Sequence, residues 1–165
     1  MNVIALSRSP YAALSPLALA TVVVAALDLV EVSAFYALYQ GVPPIRIGQS
    51  IASGLIGADA YRGGLSTAFL GVALHTAIMG VIVGVYAFGA ARLPALARRW
   101  FVAGMAYGLA VYVVMNAVVV PLSAAVVGAR SWPVVVNGLA AHLFAVGVPI
   151  AWCVARVRRQ FGASP

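Results

Sequence analysis

The sequence predicts an all-α integral membrane protein. We expect four transmembrane helices in an up-down bundle, with a short interfacial helix between the first and the second. Of the 165 residues, 64% are hydrophobic and only 8% are charged, whereas a soluble domain has about 25% charged residues. Four apolar stretches each reach the roughly 20 residues that a helix needs to cross the hydrocarbon core. The whole chain, 1–165, is therefore predicted to be one transmembrane domain.

The ends of the spans are marked by helix-breaking and interfacial residues. Prolines, glycines and arginines separate the apolar stretches, and Trp100, Trp132 and Trp152 lie near span ends, as residues of an aromatic belt do. These markers place the four spans at about residues 11–39, 64–90, 100–123 and 133–155.

The connection between the first two spans is too long for a plain turn. Within it, Ile47, Ile51 and Leu55 recur every fourth residue, while Gln49 falls on another face. This pattern predicts a short helix over residues 45–61, at the membrane surface or packed against the bundle.

The arginines predict the orientation of the chain. The ten basic residues divide seven to three between the two sides of a four-span protein, and the side with seven holds both termini. By the positive-inside rule, both termini are predicted to be cytoplasmic. The net charge of +7 also raises nucleic-acid binding, but no basic patch interleaved with aromatic residues occurs, so no nucleic-acid partner is expected.

Several short stretches of the chain resemble a known family. They are residues 46–57 (RIGQSIASGLIG), Gly63-Gly64, His75, Tyr107-Gly108, Asn116, Pro121-Leu-Ser123 and His142. In these stretches the chain is similar to a family of small, uncharacterised, four-helix proteins of the bacterial inner membrane. The resemblance implies the fold and a bacterial inner membrane, and it assigns no activity to any residue.

Polar side chains at similar depths in the spans are the candidates for function. Counted from the outer ends at ~1.5 Å per residue, Asp28 and Glu31 lie ~16 and ~12 Å deep, and His75 and His142 lie ~16 and ~14 Å deep. Each carboxylate costs ~2.5–3.5 kcal/mol near the bilayer centre, and no arginine lies deep in a span to neutralise it. We therefore expect these four side chains to form one cluster in the outer half, as candidate metal ligands or proton carriers.

Other polar and small residues are expected to support this cluster. Tyr112 and Asn116 share one face of the third span and are candidate supporting contacts. The pattern G-x-A-x-H-x-x-x-x-G surrounds His75 and is repeated later in the chain, which suggests a tandem repeat of the kind found in transporters. Gly80 and Gly84 form a G-x-x-x-G pair, so a homo-oligomer or a larger membrane complex is a possible assembly.

Three functions stay open at this stage. The first is a buried site for a divalent transition metal or for protons, acting in transport. The second is a non-catalytic structural subunit or assembly factor of a membrane complex. The third is a haem b electron carrier with His75 and His142 as axial ligands, where Gly71 and Gly138 would make room for the macrocycle. No nucleophile motif, zinc-protease motif or phosphate loop occurs, so the sequence gives no reason to expect an enzyme.

Overall fold

The computed structural model describes residues 14–128 and 131–161, and most of them are helical. In chain order the helices are α1 (Leu14–Gln40), α2 (Pro44–Ile56) with a 3-10 extension (Gly57–Arg62), α3 (Gly64–Arg92), α4 (Pro94–Arg98), α5 (Trp100–Leu122) and α6, which runs through Trp132–Ala141, His142–Gly147 and Val148–Phe161. We name the two ends of the protein after the short helices that they carry, the α2 end and the α4 end.

Four of these helices are long and apolar enough to cross a membrane: Pro16–Gln40, Gly64–Arg92, Trp100–Leu122 and Trp132–Gln160. Large apolar side chains stand on their outer surfaces, among them Leu38, which is 88% exposed, and Leu122, which is 83% exposed. Such a surface is expected where lipid surrounds a protein. The prediction of an all-helical chain with four potential membrane spans is confirmed, whereas the up-down bundle and the interfacial position of α2 stay predictions.

The helix ends differ from the predicted ones for local reasons. The fourth span was predicted to end at residue 155, but α6 continues to Phe161, because no helix breaker occurs before Gly162. The predicted start of the first span at residue 11 lies outside the described residues. Arg8 and Arg130, which entered the orientation argument, lie outside them as well.

In two pairs of spans, α1 with α3 and α5 with α6, the contacts show helices that run in opposite directions. On α1 and α3, Asp28 faces His75, while Thr21, two turns earlier, faces Gly80 further along α3. On α5 and α6, the backbone at Gly104 meets Gly147, while Gly108, one turn later, meets an earlier residue of α6. The residue numbers rise on one helix as they fall on the other in both pairs.

The hydrophobic core lies between α1, α3 and α6, on the α4 side of the polar residues. Its largest fully buried members are Val24, Val83, Val146, Ile150 and Val154. Two tyrosines flank this core, and each satisfies its hydroxyl group. Tyr107 donates to the carbonyl of Ile82 at 2.7 Å, and Tyr86 donates to the carbonyl of Leu96 at 3.2 Å. The α4 half is therefore apolar and closely packed.

Helix α2 buries small and polar residues together with Ile47, and it exposes Leu55 and Ile56. Gln49 and Ser53 are only 3% and 0% exposed, whereas Leu55 is 61% exposed. Gln49 Nε2 donates to the carbonyl of Gly64 at 3.1 Å, and Ser53 Oγ accepts the backbone N–H of Val126 at 3.2 Å. The predicted helix is present, and its polar face is anchored both to the start of α3 and to the segment after α5.

Two membrane helices contain π-helical segments, Met115–Val119 in α5 and His142–Gly147 in α6. Each segment ends two residues before a proline, Pro121 or Pro149. Proline has no N–H to donate, and its ring clashes with the carbonyl four residues earlier. The helix widens in response, since the N–H groups that follow the two segments bond five residues back, to the carbonyls of Met115 and Leu143.

Candidate functional site

An acidic and an imidazole side chain meet between α1 and α3. Asp28 Oδ2 lies 3.5 Å from His75 Nε2, and each side chain is only 14% exposed. The backbone carbonyl of Ala25, one turn earlier on α1, is a second hydrogen-bond acceptor beside the His75 ring. A charge-assisted hydrogen bond between these groups would be ~2.7–2.9 Å long. The pair is therefore within ion-pair range but is not drawn into a close hydrogen bond.

Glu31 lies one turn from Asp28 toward the α2 end of α1. Its carboxyl group approaches the side chain of Asn137 on α6 and interacts electrostatically with Asp28. Within the described part of the chain, two buried side-chain polar atoms have no hydrogen-bond partner, Glu31 Oε2 and His75 Nε2. Both belong to this one group of residues.

His142 approaches the acidic residues from α6. It lies within electrostatic range of Asp28, Glu31 and His75. Its Nδ1 is 2.8 Å from the carbonyl of Gly138, and because a carbonyl only accepts, Nδ1 carries the hydrogen. The lone pair of the neutral ring is then on Nε2, where it can take a proton.

Of the two predicted supporting residues, one lies beside a cluster histidine and one bonds within its own helix. The Tyr112 ring packs edge-on against the His142 ring, with 5.4 Å between their centroids. Asn116 Nδ2 instead donates to the carbonyl of Tyr112 at 2.9 Å, which holds that side chain against α5. Asn137 was not among the predicted site residues, although a polar side chain inside a span was an available signal.

The four predicted metal ligands lie near one another but do not form a ligand set. Among residues 14–128 and 131–161, no group of three or more His, Cys, Asp or Glu side chains is arranged to hold a metal ion. Imidazole ligation of zinc requires nitrogen atoms within ~2.1 Å of the ion. In this arrangement the four side chains therefore do not form a ligand set for a divalent metal.

The space expected for a haem macrocycle is filled by protein. A Cβ atom on Gly71 would collide with the backbone carbonyl of Gly48 on α2, and one on Gly138 would lie 3.4 Å from the ring of Tyr112. Gly71 thus serves contact between helices. The expectation that these two glycines make room for a macrocycle is not met, and His75 Nε2 faces Asp28 instead.

The predicted G-x-x-x-G pair on α3 does not form one contact surface within the chain. Gly80 faces Thr21 on α1, whereas nothing lies within 4 Å of a Cβ placed on Gly84. The closest helix contact between two spans is elsewhere, where Gly104 and Gly108 of α5 meet the π-helical segment of α6 at Gly147 and His142. This second G-x-x-x-G pair was not among the predicted helix contacts.

Two polar contacts join α1 to the start of α6 on the α2 side of the cluster. The Tyr39 and Ser131 hydroxyl oxygens are 3.5 Å apart at the α2 end, and Glu31 and Asn137 approach each other further in. In the other direction, the core described above separates the cluster from the α4 end. The polar contacts beside the site therefore lie on its α2 side.

Comparison with known protein families, with curated proteins and with solved structures finds no match to this chain. The resemblance to small bacterial inner-membrane proteins gains no support from these comparisons.

Proposed function

We propose that the chain is a small multi-pass membrane protein whose Asp28–His75 pair takes up and releases protons during transport. One observation carries the proposal: two buried polar atoms of the cluster, His75 Nε2 and Glu31 Oε2, lack hydrogen-bond partners. Buried polar groups that only hold helices together are normally fully bonded, because each unsatisfied group costs about 1–3 kcal/mol. A site that exchanges protons needs free acceptor positions.

The proton is proposed to travel along the seam between α1 and α6. Glu31, the cluster member nearest the α2 end, would accept it on Oε2 and pass it to the Asp28–His75 pair. His75 Nε2, once protonated, would donate to Asp28 Oδ2 and shorten the present 3.5 Å separation. His142 offers a further acceptor, since its Nδ1 is already committed to Gly138.

Release toward the α4 end requires a rearrangement, because the core blocks that side. The contact between α5 and α6 is suited to such a movement. Small residues let the two backbones approach closely at Gly104, Gly108 and Gly147. Each helix also contains a π-helical segment, a feature that is frequent at functional sites. We therefore propose that these two helices shift relative to α1 and α3 during a transport cycle.

For location, we propose a bacterial inner membrane with an up-down bundle and with both termini in the cytoplasm. The α2 end would then face the periplasm, with α2 at the interface. Support comes from the arginines of the α4 end, which include Arg98, Arg99, Arg158 and Arg159. Reporter fusions after Pro165 and after Arg130 should give opposite signals, and a periplasmic signal at Pro165 would reverse the proposed orientation.

A structural subunit or assembly factor is the second candidate. The anchoring of α2 by Gln49 and Ser53 favours a rigid protein, and the open space at Gly84 leaves room for a partner helix. In this candidate the cluster holds the helices together, and the protein carries no protons across the membrane.

Infrared spectroscopy of the membrane-embedded protein tests the first requirement of proton transport, a cluster that changes its protonation. The proposal expects a protonated-carboxyl band that changes between pH 5 and 8 and is altered in Asp28→Asn and in His75→Gln, since histidine normally titrates in this range. Asp59→Asn is the control, because that carboxylate pairs with Arg62 on the exposed surface. If the wild type shows no pH-dependent carboxyl band, or if that band persists in Asp28→Asn, the proton site is refuted.

A further inference from the structure

The α4 end holds a concentration of positive charge that the protein itself does not neutralise. Six arginines of the described residues lie there: Arg92, Arg98, Arg99, Arg156, Arg158 and Arg159. The sequence contains only three acidic residues. Asp28 and Glu31 belong to the buried cluster, and Asp59 pairs with Arg62 at the opposite end of α3. No aspartate or glutamate is left to neutralise the α4 end.

Two of these arginines lie over aromatic rings. Arg92 lies over the ring of Phe88, 4.7 Å from its centroid, and Arg156 lies over Trp152 at 5.5 Å. Within the described part of the chain, the other four have neither an ion-pair partner nor an aromatic ring beneath the guanidinium group. Of these four, Arg98 and Arg99 line a shallow pocket of about 240 Å³ together with Trp100, Phe101 and Val102.

The backbone that carries this pocket is fixed by the fold. The N–H of Arg99 donates to the carbonyl of Ala95 at 2.9 Å, and the carbonyl of Arg99 accepts the N–H of Ala103 at 3.0 Å. Trp100 packs against the hydrophobic core, as does Leu96 of α4. The two guanidinium groups therefore extend from an ordered corner at the end of two membrane helices.

We propose that this pocket binds the phosphate headgroup of an anionic membrane phospholipid. The guanidinium group matches phosphate in charge and in hydrogen-bond geometry. The adjoining Trp100, Phe101 and Val102 supply the apolar side that the glycerol and upper acyl chain of a lipid require. Clusters of about four to eight basic residues next to the end of a membrane helix bind anionic headgroups, and the pocket lies within such a cluster. The proposal does not depend on the proton site.

Binding of phosphatidylglycerol to the full chain in phosphatidylcholine micelles tests the proposal, with native mass spectrometry and a titration of short-chain lipid as readouts. The R98Q/R99Q variant should bind phosphatidylglycerol about 25-fold more weakly, since each arginine near a membrane surface contributes about fivefold. The R156Q/R159Q variant removes the same charge from the same end but leaves the pocket. It should bind almost as the wild type does, because it leaves Arg98 and Arg99 in the pocket.

The possible outcomes separate a lipid site from general attraction. If phosphatidylglycerol binding weakens equally in the two double variants, diffuse surface charge attracts the lipid and the pocket is not its binding site. Equal binding of phosphatidylcholine and phosphatidylglycerol would overturn the requirement for an anionic headgroup. Displacement of the lipid by an equal concentration of inorganic phosphate would show a site for free phosphate, which also contradicts the proposal. Unchanged unfolding temperatures of both variants in phosphatidylcholine confirm that they are folded.

Discussion

His75 Nε2 and Asp28 Oδ2 lie 3.5 Å apart across the contact between α3 and α1, and His75 Nε2 has no hydrogen-bond partner. An isolated charge would be costly in this position, so each residue is the main reason that the other is tolerated. The 3.5 Å separation leaves room for the shorter hydrogen bond that the proposed protonation of His75 would form. The pair thus connects the packing of two spans with the proposed chemistry.

The first prediction concerns the energetic coupling of this pair. Asp28→Asn and His75→Gln should each lower the free energy of unfolding by about 1–3 kcal/mol, because each leaves a buried partner poorly satisfied. The double variant should lower the free energy of unfolding by less than the sum of the two single effects, with a difference of about 0.5–3 kcal/mol. Unfolding in mixed micelles gives the four values. The exposed Asp59 and Arg62 pair provides the control cycle, in which no coupling is expected. Strict additivity at Asp28 and His75 would show that the pair does not interact.

The second prediction concerns close contacts between helices. A Cβ on Gly71 would collide with the backbone of Gly48, and one on Gly108 would collide with the backbone at His142. Gly71→Ala and Gly108→Ala should each destabilise the protein by about 1–3 kcal/mol, as overpacking does. Gly84→Ala is the matched control, because its Cβ meets open space. It should be neutral or slightly stabilising, since alanine favours a helix over glycine by about 1 kcal/mol. A loss of stability in Gly84→Ala, in place of this neutral or stabilising effect, would indicate that Gly84 packs against a partner helix.

The third prediction concerns the anchoring of α2. Ser53 is fully buried, and its hydroxyl accepts the N–H of Val126. Ser53→Val should leave that N–H unsatisfied and destabilise the segment by about 1–3 kcal/mol. We expect residues 44–62 to resist proteolysis in detergent in the wild type and to be cut faster in this variant. Ser50→Val, on the exposed face of the same helix, is the control. Rapid cleavage of the wild type between Ser50 and Gly57 would mean that α2 is not anchored.

The four membrane helices could be predicted because they depend on composition and length, which are local properties of the chain. Approximate depth could also be read by counting residues, and Asp28 and His75 do meet. The sequence did not reveal the partners of the glycines. Gly71 and Gly138 stand in the same motif, yet one packs on the backbone of α2 and the other faces the Tyr112 ring. Which helix lies opposite a glycine is decided by tertiary packing.

The two histidines show the same limit. Their sequence contexts match, but His75 lies within an α-helix, whereas His142 begins a π-helical segment. The difference follows from Pro149, seven residues after His142, which has no counterpart after His75. Likewise, α2 was predicted from its apolar spacing, but its buried face holds Gln49 and Ser53 beside Ile47, while Leu55 is exposed. In a membrane protein the apolar face of a helix can face lipid, so periodicity identifies the faces without showing which of them is inside.

The most direct test of the central claim is proton flux through the purified full-length protein in liposomes. A pH gradient is imposed across the liposome membrane, and valinomycin lets a potassium current compensate the charge. A pH-sensitive dye inside the liposomes reports the rate of proton flux. The account predicts that the wild type dissipates the gradient faster than protein-free liposomes. Asp28→Asn and His75→Gln should each slow that rate by about 100-fold or more, the lower end of the usual contribution of a proton-transfer group. Asp59→Asn should retain it. Wild-type liposomes no faster than protein-free ones, or an undiminished rate in both cluster variants, would contradict a proton-exchanging Asp28–His75 pair.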